Sequence, residues 1–418
     1  LPHFKLKGNI RAFASFHGIN ANDDNPRVKY NTRVELVEKR YDAHGAEAGW
    51  TLTLKTVERT GRYSAKATWR TEDFDAIVVG AGRYNAPNIP RIPGLKEWAD
   101  RFPGNVQHSR AYRRPEPFKD KTVLIVGAAT SGAEIARDLN PHVAKTYQSI
   151  RPDTESRPHL VRDLVFRRLP ANATIVPEIK RFLPPGRTIN TSRVELSNGT
   201  TITGIDEILF ATGFRYTFPF LRQYINSSVT TDRDADSAHP RPIITDGTHL
   251  RSLYLDILYI EEPTIGFVNM NIGGLQSFTY AEYVAVALSK VWAGLAHLPN
   301  SEELWRRQAE RVEALKGYGR HFQYVGGDKS KKQIRFLVGW LNGAAAKYGG
   351  RQIDGLHPDS DQINDFWNKA RFGRDIYRGD VPGVPPSNFT SKGGEDWDRF
   401  GARVVTERDA VDWYNDAW

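Results

Sequence analysis

Hydrophobic and polar positions form their clearest pattern between residues 121 and 150. Residues 121–126 are a short apolar run of the kind that forms a buried strand. Residues 131–139 space their apolar positions at helical intervals, and Pro141 stops the helix just beyond. A second strand is predicted over 145–150. Strand, helix and strand in this order make a βαβ unit, whose crossover is right-handed. Before it, the pattern predicts a short helix over 10–19 and strands over 28–38, 49–58 and 64–70. The run from Phe74 to Val79 reads as a strand buried on both faces. Pro87, Pro90 and Pro93 forbid a helix over 84–94, which reads as a linker or domain crossing. Further short strands are expected over 160–205, then an apolar strand over 205–210 and a strong helix over 276–294. From about residue 340 the chain reads as an irregular extension over the body.

One element echoes another. Asp75 to Tyr84 resembles Asp206 to Tyr216: each is an apolar strand running into glycine, and together they bracket the βαβ region. A domain inserted into a parent sheet would look like this, the chain leaving near 80 and returning near 213. The expected division is 1–113 for the first part of the parent domain, 114–212 for the insert, 213–339 for the second part and 340–418 for the extension.

Composition narrows the chemistry. The chain has no Cys, which excludes disulfides, thiolate metal sites, iron–sulfur clusters and a cysteine nucleophile. Its histidines are scattered, so no metal site is expected. The net charge of +9 favours an anionic partner. The basic residues are dispersed and no nucleic-acid signature is present, so the phosphates of a cofactor are the natural anion. No apolar run is long enough to span a membrane. Nor is a signal-peptide pattern visible, which points to the cytoplasm; sequons at Asn172, Asn190, Asn198, Asn226 and Asn388 leave secretion open. The first residue is Leu1 rather than Met, so a processed or truncated start is expected.

The βαβ turn is Val126-Gly127-Ala128-Ala129-Thr130-Ser131-Gly132. It follows a strand and opens a helix, the context a dinucleotide-binding turn requires. Gly127 suits the tight turn, and Gly132 suits close packing of helix on strand. Ala129 stands where a second glycine normally admits the pyrophosphate. The helix N-terminus presents free N–H groups, and Thr130 and Ser131 add hydroxyls. Arg151 follows the second strand, where an acidic residue would bind a ribose 2′-hydroxyl; arginine there suits a 2′-phosphate, hence NADP. Asp153 and Arg157 lie close by in sequence. Gly80-Ala81-Gly82 imitates the start of such a turn, but prolines follow it instead of a helix. There is no G-x-S-x-G elbow, P-loop or H-E-x-x-H.

Phe102, Gly104, His108 and Tyr112 complete a pattern just ahead of this turn, F-x-G-x-x-x-H-x-x-x-Y. Here the sequence resembles the flavin-containing monooxygenases, as it does at Phe210-Ala211-Thr212-Gly213-Phe214 and from Met270 to Tyr283. Tyr112, where the related Baeyer–Villiger enzymes usually carry Trp, favours the N- and S-oxygenating branch. The resemblance implies an α/β flavoprotein of two dinucleotide-binding domains, here with the first FAD-binding βαβ unit absent, since no G-x-G-x-x-G precedes residue 70. It implies the cofactors NADP and FAD, and transfer of one oxygen atom from O2 to a soft nitrogen or sulfur nucleophile of a small-molecule substrate. Gly127, Ala129, Thr130, Ser131, Gly132 and Arg151 would bind NADP. Thr212 and Gly213 would face the flavin or nicotinamide, and Gln276 would touch the flavin. His108 would hold the crossing in shape. No catalytic side chain is implied. Two alternatives stay open: a flavin-less relative that binds NADP or another ligand without turnover, and an interaction protein on a degenerate scaffold. A homo-oligomer or a separate N-terminal fragment stays open as partner.

Overall fold

The chain opens with a helix, α1 (His3–Phe16), and an antiparallel meander of β1 (Thr32–Tyr41), β2 (Glu47–Arg59) and β3 (Ala65–Phe74). In the computed structural model, which describes residues 3–151, 169–271 and 277–356, this meander leans on the rest of the molecule by one edge. Val37 and Trp50 are buried there, and Trp50 donates from its indole to Thr264 Oγ1 at 3.1 Å. Lys39 of β1 bridges to Glu262 at 2.8 Å, a carboxylate that also accepts from the Tyr224 hydroxyl at 2.7 Å. The helix predicted over 10–19 thus starts and ends earlier in the chain.

After the meander comes β4 (Ile77–Val79), the edge of a four-stranded sheet ordered β15-β16-β17-β4, with β15 (Leu253–Tyr254), β16 (Leu258–Tyr259) and β17 (Ile265–Phe267). β4 runs parallel to β17. The apolar run from Phe74 does not form one strand buried on both faces. β3 ends at Phe74, and within β4 Val78 is 48% exposed while its neighbours are buried. One face of β4 meets the core and the other meets solvent, so alternation replaces double burial.

The chain then crosses through β5 (Ala86–Pro87) and α2 (Leu95–Arg101) into a second sheet. Its strands are β6 (Val106–His108), β7 (Thr122–Val126), β8 (Lys145–Ser149), β9 (Thr174–Val176) and β13 (Glu207–Phe210), all parallel, in the order β6-β13-β7-β8-β9. Helix α3 (Thr130–Leu139) joins β7 to β8. Alternate residues feed opposite faces. Leu124, Ile208 and Phe210 pack with Trp98, Phe102 and Phe182 on one side. Val123, Ile125, Leu209 and Ala211 pack with Ala133, Ala136 and Leu139 of α3 on the other. A small antiparallel sheet, β10 (Ile179–Phe182), β11 (Val194–Leu196) and β12 (Thr201–Ile202), covers the first side. This is a mixed α/β fold with a parallel dinucleotide-binding type sheet, as expected from the sequence.

The return crossing is β14 (Phe214–Arg215), which pairs antiparallel with β5. The two echoing strands lie in different sheets, β4 in the four-stranded one and β13 in the parallel one, and the segments meet only past their glycines, where Tyr84 packs edge-on against Phe214 with centroids 5.4 Å apart. Beyond it come a short helix α4 (Asp232–Ser237) and three long helices: α5 (Ser277–Trp292), α6 (Ser301–Ala314) and α7 (Gly326–Tyr348). Their shared core includes Val284, Leu288, Leu304, Ile334, Leu337 and Leu341. Under it, Arg311 of α6 grips Asp256 with two bonds, Nη1 to Oδ1 at 2.9 Å and Nη2 to Oδ2 at 2.8 Å, both side chains fully buried. Residues 340–348 are the end of α7, so an irregular tail does not begin at 340: Leu341 and Ala344 continue the buried stripe of that helix. Among the described residues, no helix is long and apolar enough to cross a membrane.

Candidate functional site

The turn between β7 and α3 is built around two glycines that no other residue could replace without moving the backbone. Gly127 has φ +95°, and a Cβ there would lie 2.7 Å from the carbonyl oxygen of Ala211. At Gly132, a Cβ would lie 2.2 Å from the Gly127 carbonyl oxygen and 3.3 Å from the Ala211 methyl. The first glycine makes the bend, and the second lets α3 press on the ends of β7 and β13. The turn is also tied down from β8: Gly127 N donates to Ser149 O at 2.9 Å, and Gln148 Nε2 donates to Gly127 O at 2.5 Å. Gln148 is wholly buried.

Behind this turn the N-terminus of α3 is open. Ala129 takes the N-cap position with extended backbone, and no side chain caps the helix. Ala129, Thr130 and Ser131 are all exposed. The first N–H groups of α3 and the positive end of its dipole therefore face solvent, which is a ready anion site. Arg151, exposed, follows β8, the neighbour of β7. Asp153, Arg157 and Gln276 lie outside the described residues.

The residues ahead of the turn work as braces. His108, 8% exposed, is held at both ring nitrogens: Nδ1 accepts from Arg110 N at 3.1 Å, and Nε2 meets Gly213 O at 3.0 Å. A nitrogen that accepts from a backbone N–H carries no proton, so the proton sits on Nε2 and the ring is neutral. Burial, joined by the charge of Arg110, lowers its pKa below the ordinary histidine value against the opposing pull of the Gly213 carbonyl. Its ring meets Phe214 edge-on, with centroids 5.1 Å apart. Tyr112 donates to Asp138 of α3, which ties the loop after β6 to the helix; burial, then this carboxylate, push its pKa up. Phe102 is a core residue packed edge-on against Trp98 at 5.8 Å. Gly104 has open space where a Cβ would be.

At the crossing, Thr212 Oγ1 donates to Asn88 O at 2.5 Å, Asn88 Nδ2 donates to Thr212 O at 3.2 Å, and Asn88 N donates to Gly213 O at 2.9 Å. Thr212 and Gly213 sit at the carboxyl end of β13, directly beside the glycine turn, since β13 and β7 are neighbours. The fold thus brings Gly127, Ala129, Thr130, Ser131, Gly132, Arg151, Thr212 and Gly213 to one edge of one sheet, at the reversal of strand order where α/β sheets bind ligands. Asn88, Gln148, Arg215 and Arg320 also belong to this region and were not singled out from the sequence. Among the described residues no group of His, Asp and Glu could hold a metal ion.

A family model described as flavin-binding monooxygenase-like matches residues 3–156. The flavin-containing monooxygenase iboF of Amanita muscaria is 55% identical over 362 residues, covering 84% of this chain and 67% of that one. The chain belongs to the flavin-containing monooxygenase family. The flavin-containing monooxygenase ustF2 of Aspergillus flavus is 31% identical over 342 residues, covering 79% of this chain and 65% of its own length. The chain therefore spans about two thirds of the length of these curated relatives. An S-allyl-L-cysteine S-oxygenase from Allium sativum shares the fold, with a TM-score of 0.59 at 22% identity over 90% of this chain and 73% of that one. Members of the family use FAD and NADP(H). The residues at the β7–α3 turn fit the second: a positive-φ glycine, a close-packing glycine, an uncapped helix end and an arginine past the next strand.

Proposed function

We propose that this chain is the NADP-binding and oxygen-transferring body of an NADPH-dependent monooxygenase acting on a soft nitrogen or sulfur atom of a small molecule. One observation carries the reading: the bare N-terminus of α3 behind Gly127, at the same sheet edge as the exposed Arg151 that follows the neighbouring strand β8. The diphosphate would lie on the N–H groups of Thr130 and Ser131, and Arg151 would meet the 2′-phosphate. Thr212 and Gly213, at the end of β13, would flank the nicotinamide end. FAD and NADPH, when bound, would supply the oxygen chemistry and the hydride. Family membership supports both cofactors.

What the chain contributes is position and exclusion of water rather than acid–base chemistry. His108 is neutral and committed at both nitrogens, so it offers no spare proton. It holds residues 106–112 against Gly213, and with Asn88 it fixes the height of the crossing relative to the glycine turn. The division into a parent domain and an insert over 114–212 is part of the same proposal.

The test is oxygen-dependent NADPH consumption by the full chain supplemented with FAD, with and without a thioether, a thiol or a tertiary amine. The reading expects consumption that forms a sulfoxide, disulfide or N-oxide. Failure of the protein to bind NADPH at all would refute it.

A further inference from the structure

Guanidinium groups ring the two crossing segments, and among the described residues no carboxylate forms an ion pair with any of them. Arg320, in the loop between α6 and α7, donates from Nη2 to Thr212 O at 2.6 Å. Arg215 donates from Nε to Asn88 Oδ1 at 3.0 Å and from Nη1 to Asp246 O at 3.1 Å. Arg110 donates to Asn85 Oδ1 at 2.9 Å. Arg83 donates to the carbonyl oxygens of Asn269, at 3.3 Å, and of Asn271. Carbonyl and amide oxygens satisfy these donors, but they do not neutralise the charge. Asp246 is the carboxylate within electrostatic reach of Arg215, and its Oδ1 is already engaged by Thr248 N at 2.9 Å and Thr248 Oγ1 at 2.7 Å.

Position turns this charge into a site. Thr212 follows β13, and a Cβ on Gly127 would come within 3.8 Å of Thr212 N, so the Thr212 carbonyl that Arg320 grips belongs to the residue beside the glycine turn. Arg320 also lies over Gly213, where a Cβ would meet its Nη2 at 2.8 Å. Its own charge is disfavoured there: desolvation, then Arg151, then Arg215 lower its pKa. Like charges gathered at the carboxyl edge of a parallel sheet, beside an open helix N-terminus, form a field that attracts a polyanion.

We infer that Arg320 reaches across from the helical half of the molecule and binds the diphosphate of the dinucleotide seated on the Gly127 turn. This rests on the NADP reading above. Arg320 is remote in sequence from the dinucleotide motif, so it would close the site from a second side: α3 holds the phosphates from the parallel sheet, and the α6–α7 loop holds them from above. A planar guanidinium suits two phosphate oxygens at once, which an ammonium does not.

The full chain as wild type and as two variants, Arg320→Gln and Arg320→Lys, is titrated with NADPH and, separately, melted with and without inorganic pyrophosphate. Arg320→Gln is expected to raise the NADPH Kd about tenfold or more. It is expected to abolish stabilisation by pyrophosphate and to leave the unliganded melting temperature close to wild type. Arg320→Lys is expected to recover part of the affinity. Unchanged NADPH and pyrophosphate binding in Arg320→Gln would overturn the inference and leave the NADP reading standing. So would an affinity loss that only follows a fall in the melting temperature. Pyrophosphate stabilisation that depends on Arg320, in a protein that binds no NADPH, would uphold the anion site and remove the dinucleotide. A wild type that binds neither would remove both.

Discussion

Adding one methyl group at Gly132 tests the packing argument at its tightest point. In Gly132→Ala the new carbon would lie 2.2 Å from the Gly127 carbonyl oxygen and 2.9 Å from its carbonyl carbon, both backbone atoms. Carbon and oxygen do not approach so closely without a bond, so α3 and the turn must separate by roughly 1 Å to reach normal contact. That motion strains the bond from Gln148 to Gly127 O and lifts α3 off Ala211. Overpacking of this kind costs about 1–3 kcal/mol. At roughly 2–4 °C per kcal/mol for a domain of this size, the melting temperature should fall by several degrees. The amides at the start of α3 move with the helix, so NADPH affinity should fall about tenfold or more through weakened charge-assisted hydrogen bonds. Differential scanning fluorimetry and calorimetric titration read the two effects. Gly104→Ala is the control, because nothing lies within 4 Å of its Cβ, and it should stay within about 0.5 kcal/mol of wild type. If Gly132→Ala melts and binds like Gly104→Ala, the turn is not the close-packed cradle described.

Three further outcomes follow from the same geometry. Arg151→Ala should weaken NADPH about tenfold and leave NADH nearly unchanged in parallel titrations; equal losses would remove the 2′-phosphate role. Burial lowers the pKa of both His108 and His249, the latter a buried histidine whose Nδ1 meets the Thr248 hydroxyl at 2.9 Å and whose ring stacks on Tyr318. The unfolded chain therefore takes up protons first, and stability contributed by these groups is constant above about pH 6.5 and declines as pH falls below it. Urea unfolding at several pH values should show that decline, and the double variant His108→Phe, His249→Phe should flatten it. Asp256→Ala leaves Arg311 buried beside an empty partner position and should cost about 3–5 kcal/mol by urea unfolding, while Asp256→Leu combined with Arg311→Met should recover much of that loss.

How much of this was legible in the chain depends on how local the determining contacts are. The βαβ unit and its turn were readable because strand period, helix period and glycine spacing all fall within 30 consecutive residues, and each is dictated by near neighbours. Crossing segments were readable as an echo, because both strands end in glycine before the chain changes sheets. Gln148 was not, because nothing in the sequence marks a strand glutamine whose amide turns inward onto the carbonyl of Gly127. Asn88 and Arg320 were missed for the same reason at greater range: their bonds to Thr212 join residues more than a hundred positions apart. The fingerprint itself mixes roles. His108 is a two-ended brace, whereas Gly104 meets no steric demand. Val78 misled because Phe74 to Val79, five apolar residues of six, fits a fully buried strand, yet only one face of β4 is covered. The end of α7 misled because Gly343 and three alanines dilute its apolar stripe, although Leu337, Leu341 and Ala344 keep the helical spacing.

Hydrogen–deuterium exchange of the full chain, with and without NADPH, tests the central claim most directly. The account predicts slowed exchange in peptides covering residues 127–133 and 211–213, where the open amides of α3 and the end of β13 would meet the nucleotide. Unchanged exchange across those two segments at saturating NADPH would contradict it.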